Sequence, residues 1–107
     1  MHKTDINKIV GYLPEGPYKK ISYDKGNLKA QIVCLKAGQM IPPCKMENDV
    51  LFYVIEGEGE IAVDDKREKL FPFASVIVPN EAISRSISAK TDMVILAVQG
   101  KGENKRG

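Results

Sequence analysis

Cys44 and Met46 stand two residues apart, so on a β-strand their side chains leave the same face. A thiolate with a thioether is a soft donor pair that suits Cu(I). Such a site ordinarily needs a third donor, and no further Cys or Met stands near in sequence. The same two side chains could instead fill core space or form the wall of a small-molecule pocket. Asp49, at the entry to the strand that follows, could hold a hard cation, act as a base in a closed pocket, or serve as a solvated turn acid. Ser84, Ser86 and Ser88 alternate with Ile83, Arg85, Ile87 and Ala89. Facing inward, the serines would offer hydroxyls to a polar ligand; pattern alone sends Ile83 and Ile87 inward and the serines to water. The chain has one histidine, His2. A two-histidine iron triad or a histidine-rich zinc site therefore cannot be assembled within one chain. Cys44 likewise has no other histidine to take its proton.

These residues sit in a sequence cut at short intervals by Gly, Pro and Asn/Asp pairs, with Val-, Ile-, Tyr- and Phe-rich segments between. That rhythm predicts β-strands over residues 18–23, 28–35, 40–46, 50–55, 59–63, 69–71, 75–78, 83–89 and 92–98. The residues around Asp64 and Asp65 predict a hairpin turn. The one helix candidate is 5–10, where Ile6, Ile9 and Val10 share a face. Many short strands joined by turns point to a sandwich or barrel. Two strands, 50–55 and 93–98, are apolar on both faces instead of alternating, so both faces need cover. With no long helix available, a second sheet would take one face and a partner chain part of the other. A homodimer is therefore expected.

At 107 residues, with 43% apolar and 28% charged, the chain has the makings of one soluble globular domain. The net charge of +2 resides in the last seven residues, where Lys101, Lys105 and Arg106 face only Glu103. The expected division is a domain over 1–100 and a flexible basic tail over 101–107. A charge-balanced body argues against nucleic-acid binding, and no apolar run is long enough to span a membrane. Without an apolar leader the expected compartment is the cytoplasm. There Cys34 and Cys44 would stay reduced, Cys34 as a small core residue.

The stretch Gly38-Gln-Met-Ile-Pro-Pro-Cys44-Lys-Met46-Glu-Asn-Asp49-Val50-Leu-Phe52-Tyr-Val54-Ile-Glu56-Gly57-Glu-Gly59 resembles the first motif of the cupin superfamily. That motif runs Gly, five residues, His-x-His, three or four residues, Glu, six residues, Gly. The segment 74–84 is similar to the second: Gly, five residues, Pro-x-Gly-x-x-His, three residues, Asn. The resemblance implies an all-β jelly-roll barrel of six to eight or more strands, often dimeric, whose motif residues hold a divalent metal inside the barrel. At those positions this sequence has Cys44 and Met46 for the paired histidines, Val50 for the glutamate, Ser84 for the second-motif histidine and Ser88 for the asparagine. Ala74 and Glu81 stand for two of its glycines.

The resemblance thus implies a small cupin-like protein without the usual metal site and with no cofactor. It would be a small-molecule-binding or accessory protein, its ligand a small polar molecule such as a sugar or organic acid. The barrel-lining candidates are Cys44, Met46, Phe52, Val54, Ser84 and Ser88; Phe52 and Val54 share the parity of Val50. Two alternatives stay open: an isomerase-, epimerase- or dioxygenase-type enzyme working without metal or with a soft one, and a structural homodimeric module.

Overall fold

The computed structural model describes residues 1–100; the expected basic tail, 101–107, lies outside the described residues. Nine strands follow one another: β1 (Tyr18–Lys25), β2 (Leu28–Leu35), β3 (Met40–Cys44), β4 (Val50–Glu56), β5 (Gly59–Val63), β6 (Lys66–Leu70), β7 (Ser75–Val78), β8 (Arg85–Ala89) and β9 (Met93–Gly100). Each overlaps one of the segments expected from the sequence, although β6 begins at Lys66, three residues before the expected start, because the turn is confined to Asp64 and Asp65 and Lys66 already pairs with Val63. They form two antiparallel sheets, one ordered β1-β2-β9-β4-β7 and the other β3-β8-β5-β6. The sheets face each other across a core that includes Leu35, Val54, Ile61, Leu70, Val78, Ile87, Met93 and Ile95, each 2% exposed or less.

Pairing register carries side-chain identity across the larger sheet in rows. Val33, Ile95 and Val54 lie side by side on the inner face. One row along lie Gln31, Ala97 and Phe52, and beyond them Lys29, Gln99 and Val50. Because side chains alternate between faces, these rows make the inner face apolar at one end and increasingly polar toward the other. On the smaller sheet, β8 turns Arg85, Ile87 and Ala89 inward, and all three are buried.

The outer face of β2 and β9 is covered from within the chain. Ile32, Cys34 and Val94 are buried beneath Ile6, Ile9, Val10, Tyr12 and Tyr18. The apolar stretch 93–98 of β9 needs no partner chain for this half of its outer face. The expected helix over 5–10 is only a 3₁₀ turn, Ile6–Lys8, with the Asp5 carboxylate accepting the Asn7 N–H at 3.1 Å. Three β-branched residues and an Asn ending at Gly11 have weak helix propensity, and the apolar side chains gain more by packing on the sheet.

Positive φ at Gly57, Phe73 and Asp64 shapes three of the connections between strands. Gly57, after β4, has φ +92, and a Cβ there would run into the Asp92 carbonyl and the Met93 Cα. Phe73 also lies in the left-handed region, at φ 74. Five residues separate it from Pro79, so Phe73, not Ala74, holds the place of the second motif's first glycine. Asp64, at φ 54, makes the β5–β6 turn. Its carboxylate accepts the N–H groups of Ile83 and Ser84 at 2.8 and 3.0 Å.

Candidate functional site

The polar end of the interior encloses a cavity of about 110 Å³. Val33, Ile41, Val50, Phe52 and Ala97 form its apolar walls; Lys19, Lys29, Gln31, Gln99, Met46 and Arg85 complete it. Lys29 and Gln31 come from β2 and Gln99 from β9, all on the inward phase of strands whose other inward residues are core.

Arg85 dominates the site. Position 85 is in phase with Ile87 and Ala89, so β8 directs the side chain into the barrel, where it is 7% exposed. Its Nη2 donates to the Met46 sulfur at 2.8 Å, and the guanidinium carbon lies 5.7 Å from the Phe52 ring centroid. The Nε and Nη1 groups are buried without a hydrogen-bond partner among the described residues, and no carboxylate there pairs with the charge. Burial pulls Arg85 below the ordinary guanidinium pKa, with nearby Cys44 acting in the opposite sense. Arginine nonetheless keeps its proton inside proteins. The lining therefore carries three bases and no acid.

The sequence-derived candidates divide. Met46 and Phe52 line the cavity. Val54 is fully buried but belongs to the core and not to the cavity wall. Cys44 is exposed, its Sγ donating to the Lys45 carbonyl at 3.3 Å. The inward serines implied by the resemblance are not found: Ser88 is exposed on the outer face, and Ser84 is half-buried at the Asp64 turn. The physical reason is strand phase, since turning Arg85 and Ile87 inward sends the flanking serines outward. Ile83, expected inward with Ile87, is 74% exposed because it precedes the strand. Asp49 is exposed and accepts the Asn80 N–H at 2.8 Å, tying the start of β4 to the loop after β7.

The divalent metal implied by the resemblance does not fit this donor set. Among the described residues no three His, Cys, Asp or Glu side chains come together. Cys44 is exposed with its Sγ on the Lys45 carbonyl, and the sulfur of Met46 is already against a guanidinium. Nor does the lining hold a carboxylate, imidazole or thiol, the groups that most often move protons in catalysis. It offers N–H donors beside apolar walls.

No protein-family model matches the sequence, and no curated protein matches it. Solved structures do match in shape. An RmlC-like cupin from Desulfovibrio desulfuricans superposes with a TM-score of 0.84 at 24% identity, covering 94% of this chain and 97% of that one. The fold is the cupin jelly roll. A Thermus thermophilus protein gives a TM-score of 0.86 at 20% identity, again covering 94% of this chain and 97% of that one. A conserved Streptococcus pyogenes protein of unknown function gives 0.82 at 18%, covering 94% and 88%. The barrel contains no helix, among the described residues, long and apolar enough to cross a membrane.

Arg85 is the functional candidate that reading by residue type missed. The signal was present. Pattern placed Ile87 inward, and Arg85 shares its parity, so the strand carries a charge in its buried phase. The same logic applied to β2 puts Lys29 and Gln31 in line with Val33 and Leu35.

Proposed function

We propose that this chain is a cupin-superfamily small-molecule-binding protein that works without a catalytic metal and takes its ligand into the cavity between the two sheets. The observation that carries this reading is the enclosed space at the polar end of an otherwise packed interior. Protein cores are close-packed, so a cavity lined by polar groups from several strands is an expected place for a ligand. Binding is favoured over catalysis because the lining has donors but no general acid–base pair. A cytoplasmic, homodimeric protein fits the reading. Support for the dimer comes from the outer face of β4 and β7, where Ile77 is 69% exposed beside half-buried Leu51 and Tyr53, beyond the cover of the N-terminal segment.

A thermal-shift screen of compounds of roughly two to six heavy atoms, charged and neutral, tests the proposal, together with elemental analysis of the purified chain. A ligand held by the native state raises the melting temperature. The expected result is saturable stabilisation by at least one compound and less than a tenth of a metal equivalent per chain. A stoichiometric transition metal, or a silent screen, would overturn the reading.

A further inference from the structure

We propose that the cavity is an oxyanion site whose ligand is a short-chain carboxylate, held by Arg85 with its alkyl stem against Val50 and Phe52. This deepens the barrel-binding reading and rests on it.

Buried charges are ordinarily paired, because an ion taken from water without a partner is costly. Arg85 is more than nine-tenths buried, yet two of its donor nitrogens have no partner among the described residues, and its remaining contacts are a thioether and an aromatic face. Neither a thioether nor a ring neutralises a guanidinium. An anion would, and the planar donor fork of arginine matches a carboxylate bidentately. The surroundings agree in sign, since Lys29 and Lys19 complete the lining and no acid enters it. The positive field would draw an anion toward the opening.

Size and wall chemistry narrow the class. A cavity of about 110 Å³ suits a small ligand, such as an acid of roughly two to four carbons. Inorganic phosphate would satisfy Arg85 but leave Val50, Phe52 and Ala97 facing a fully polar ion. A carboxylate on a short alkyl stem meets both the guanidinium and the apolar wall.

Isothermal titration calorimetry of the full chain at low ionic strength separates the possibilities, with propionate and butyrate as probes, propionamide and butyramide as neutral counterparts of nearly the same shape, and inorganic phosphate. The variants are Arg85→Met and Arg85→Lys, each checked for native circular dichroism. Saturable carboxylate binding is expected, with the amides at least tenfold weaker. Arg85→Met should weaken it by about 10- to 100-fold, the loss of charge-assisted hydrogen bonds. Arg85→Lys should restore part of it. Amides binding as well as acids, or Arg85→Met binding as well as wild type, would overturn the anion assignment and leave the barrel-binding reading standing. Phosphate binding more tightly than either acid would overturn the carboxylate class. Silence from every charged and neutral probe would overturn both readings. Should Arg85→Met fail to fold, the acid–amide comparison on the wild type decides alone.

Discussion

A residue kept for binding at the expense of folding makes a testable contradiction, and Arg85→Met exposes it. Two unpartnered donor nitrogens on a buried cation cost about 1–3 kcal/mol each, or roughly 2–6 kcal/mol together. The Phe52 face returns about 1–2 kcal/mol as a desolvated cation–π contact, and the Met46 sulfur is a weak acceptor that returns less. Methionine replaces the aliphatic stem of arginine, adapts to irregular space and needs no hydrogen bonds. The balance favours the variant by roughly 0–5 kcal/mol, about 2 kcal/mol at the middle of that range, comparable to what is seen when buried ionic groups give way to apolar ones. For a domain of this size each kcal/mol moves Tm by about 4–8 °C. Ligand-free, extensively dialysed Arg85→Met should therefore melt at least about 4 °C above wild type in calorimetry, with a urea m-value unchanged. Saturating carboxylate should then close or reverse the gap, because 100 times Kd adds about 2.7 kcal/mol to the protein that binds it. A variant that melts below wild type would mean that Arg85 stabilises the fold, and the reasoning from an uncompensated charge would fail.

Gly57→Ala should destabilise by about 2–4 kcal/mol, since φ +92 is strained for any side chain and the added Cβ meets backbone that cannot yield; urea unfolding checks this, and a loss under about 1 kcal/mol would mean the β4–β5 corner relaxes freely. Cys44 should react with a thiol reagent in the native state, while Cys34, buried under the N-terminal segment, should react only on unfolding; two equally fast thiols would refute that cover. Burial also pushes the Cys34 thiol up, and Tyr12 with it. A folded-state pKa above the unfolded value means the native state holds its proton longer, so stability should fall as pH rises past about 8.5; Cys34→Val should flatten that slope between about pH 8.5 and 10 in reducing buffer. Ile77→Glu should halve the mass seen in sedimentation equilibrium if β4 and β7 form the dimer face, and an unchanged dimer would place the interface elsewhere.

Most of the architecture was legible because turn chemistry and β-propensity agree along this chain. The Asp64-Asp65 turn, the glycines before β3 and after β4 and the apolar strands all point one way. The covering of β2 and β9 was not legible, because the short helical spacing of Ile6, Ile9 and Val10 points to an element that does not form and says nothing of which surface the segment packs on. The cover expected for the outer apolar face was therefore a partner chain over part of it, with no share given to the N-terminal segment. The site was legible only in part. Met46 and Phe52 follow from strand parity after the motif, yet parity after β7 depends on where β8 begins. Motif counting put Ser84 inside, but the carboxylate of Asp64 holds the Ile83 and Ser84 N–H groups in a turn, and the strand starts one residue later with Arg85 facing in. A shift of one residue exchanges every side chain between faces.

That exchange also fixes the sign of what the barrel can hold. A divalent cation bound by the Met46 sulfur would lie within a few ångströms of the Arg85 guanidinium, which touches the same atom at 2.8 Å. Two unit charges about 4 Å apart interact by about 4 kcal/mol at an effective dielectric of about 20, and a divalent ion doubles that to about 8 kcal/mol of repulsion. One thioether cannot offset such a penalty, and Lys29 in the same lining adds to it. Millimolar Mn²⁺ or Ni²⁺ should consequently leave the melting temperature of the wild type within about 1 °C of its metal-free value, while small carboxylates raise it. A saturable rise with either ion would place a cation where the geometry has put a permanent positive charge, and it would overturn the electrostatic argument on which the anion site depends.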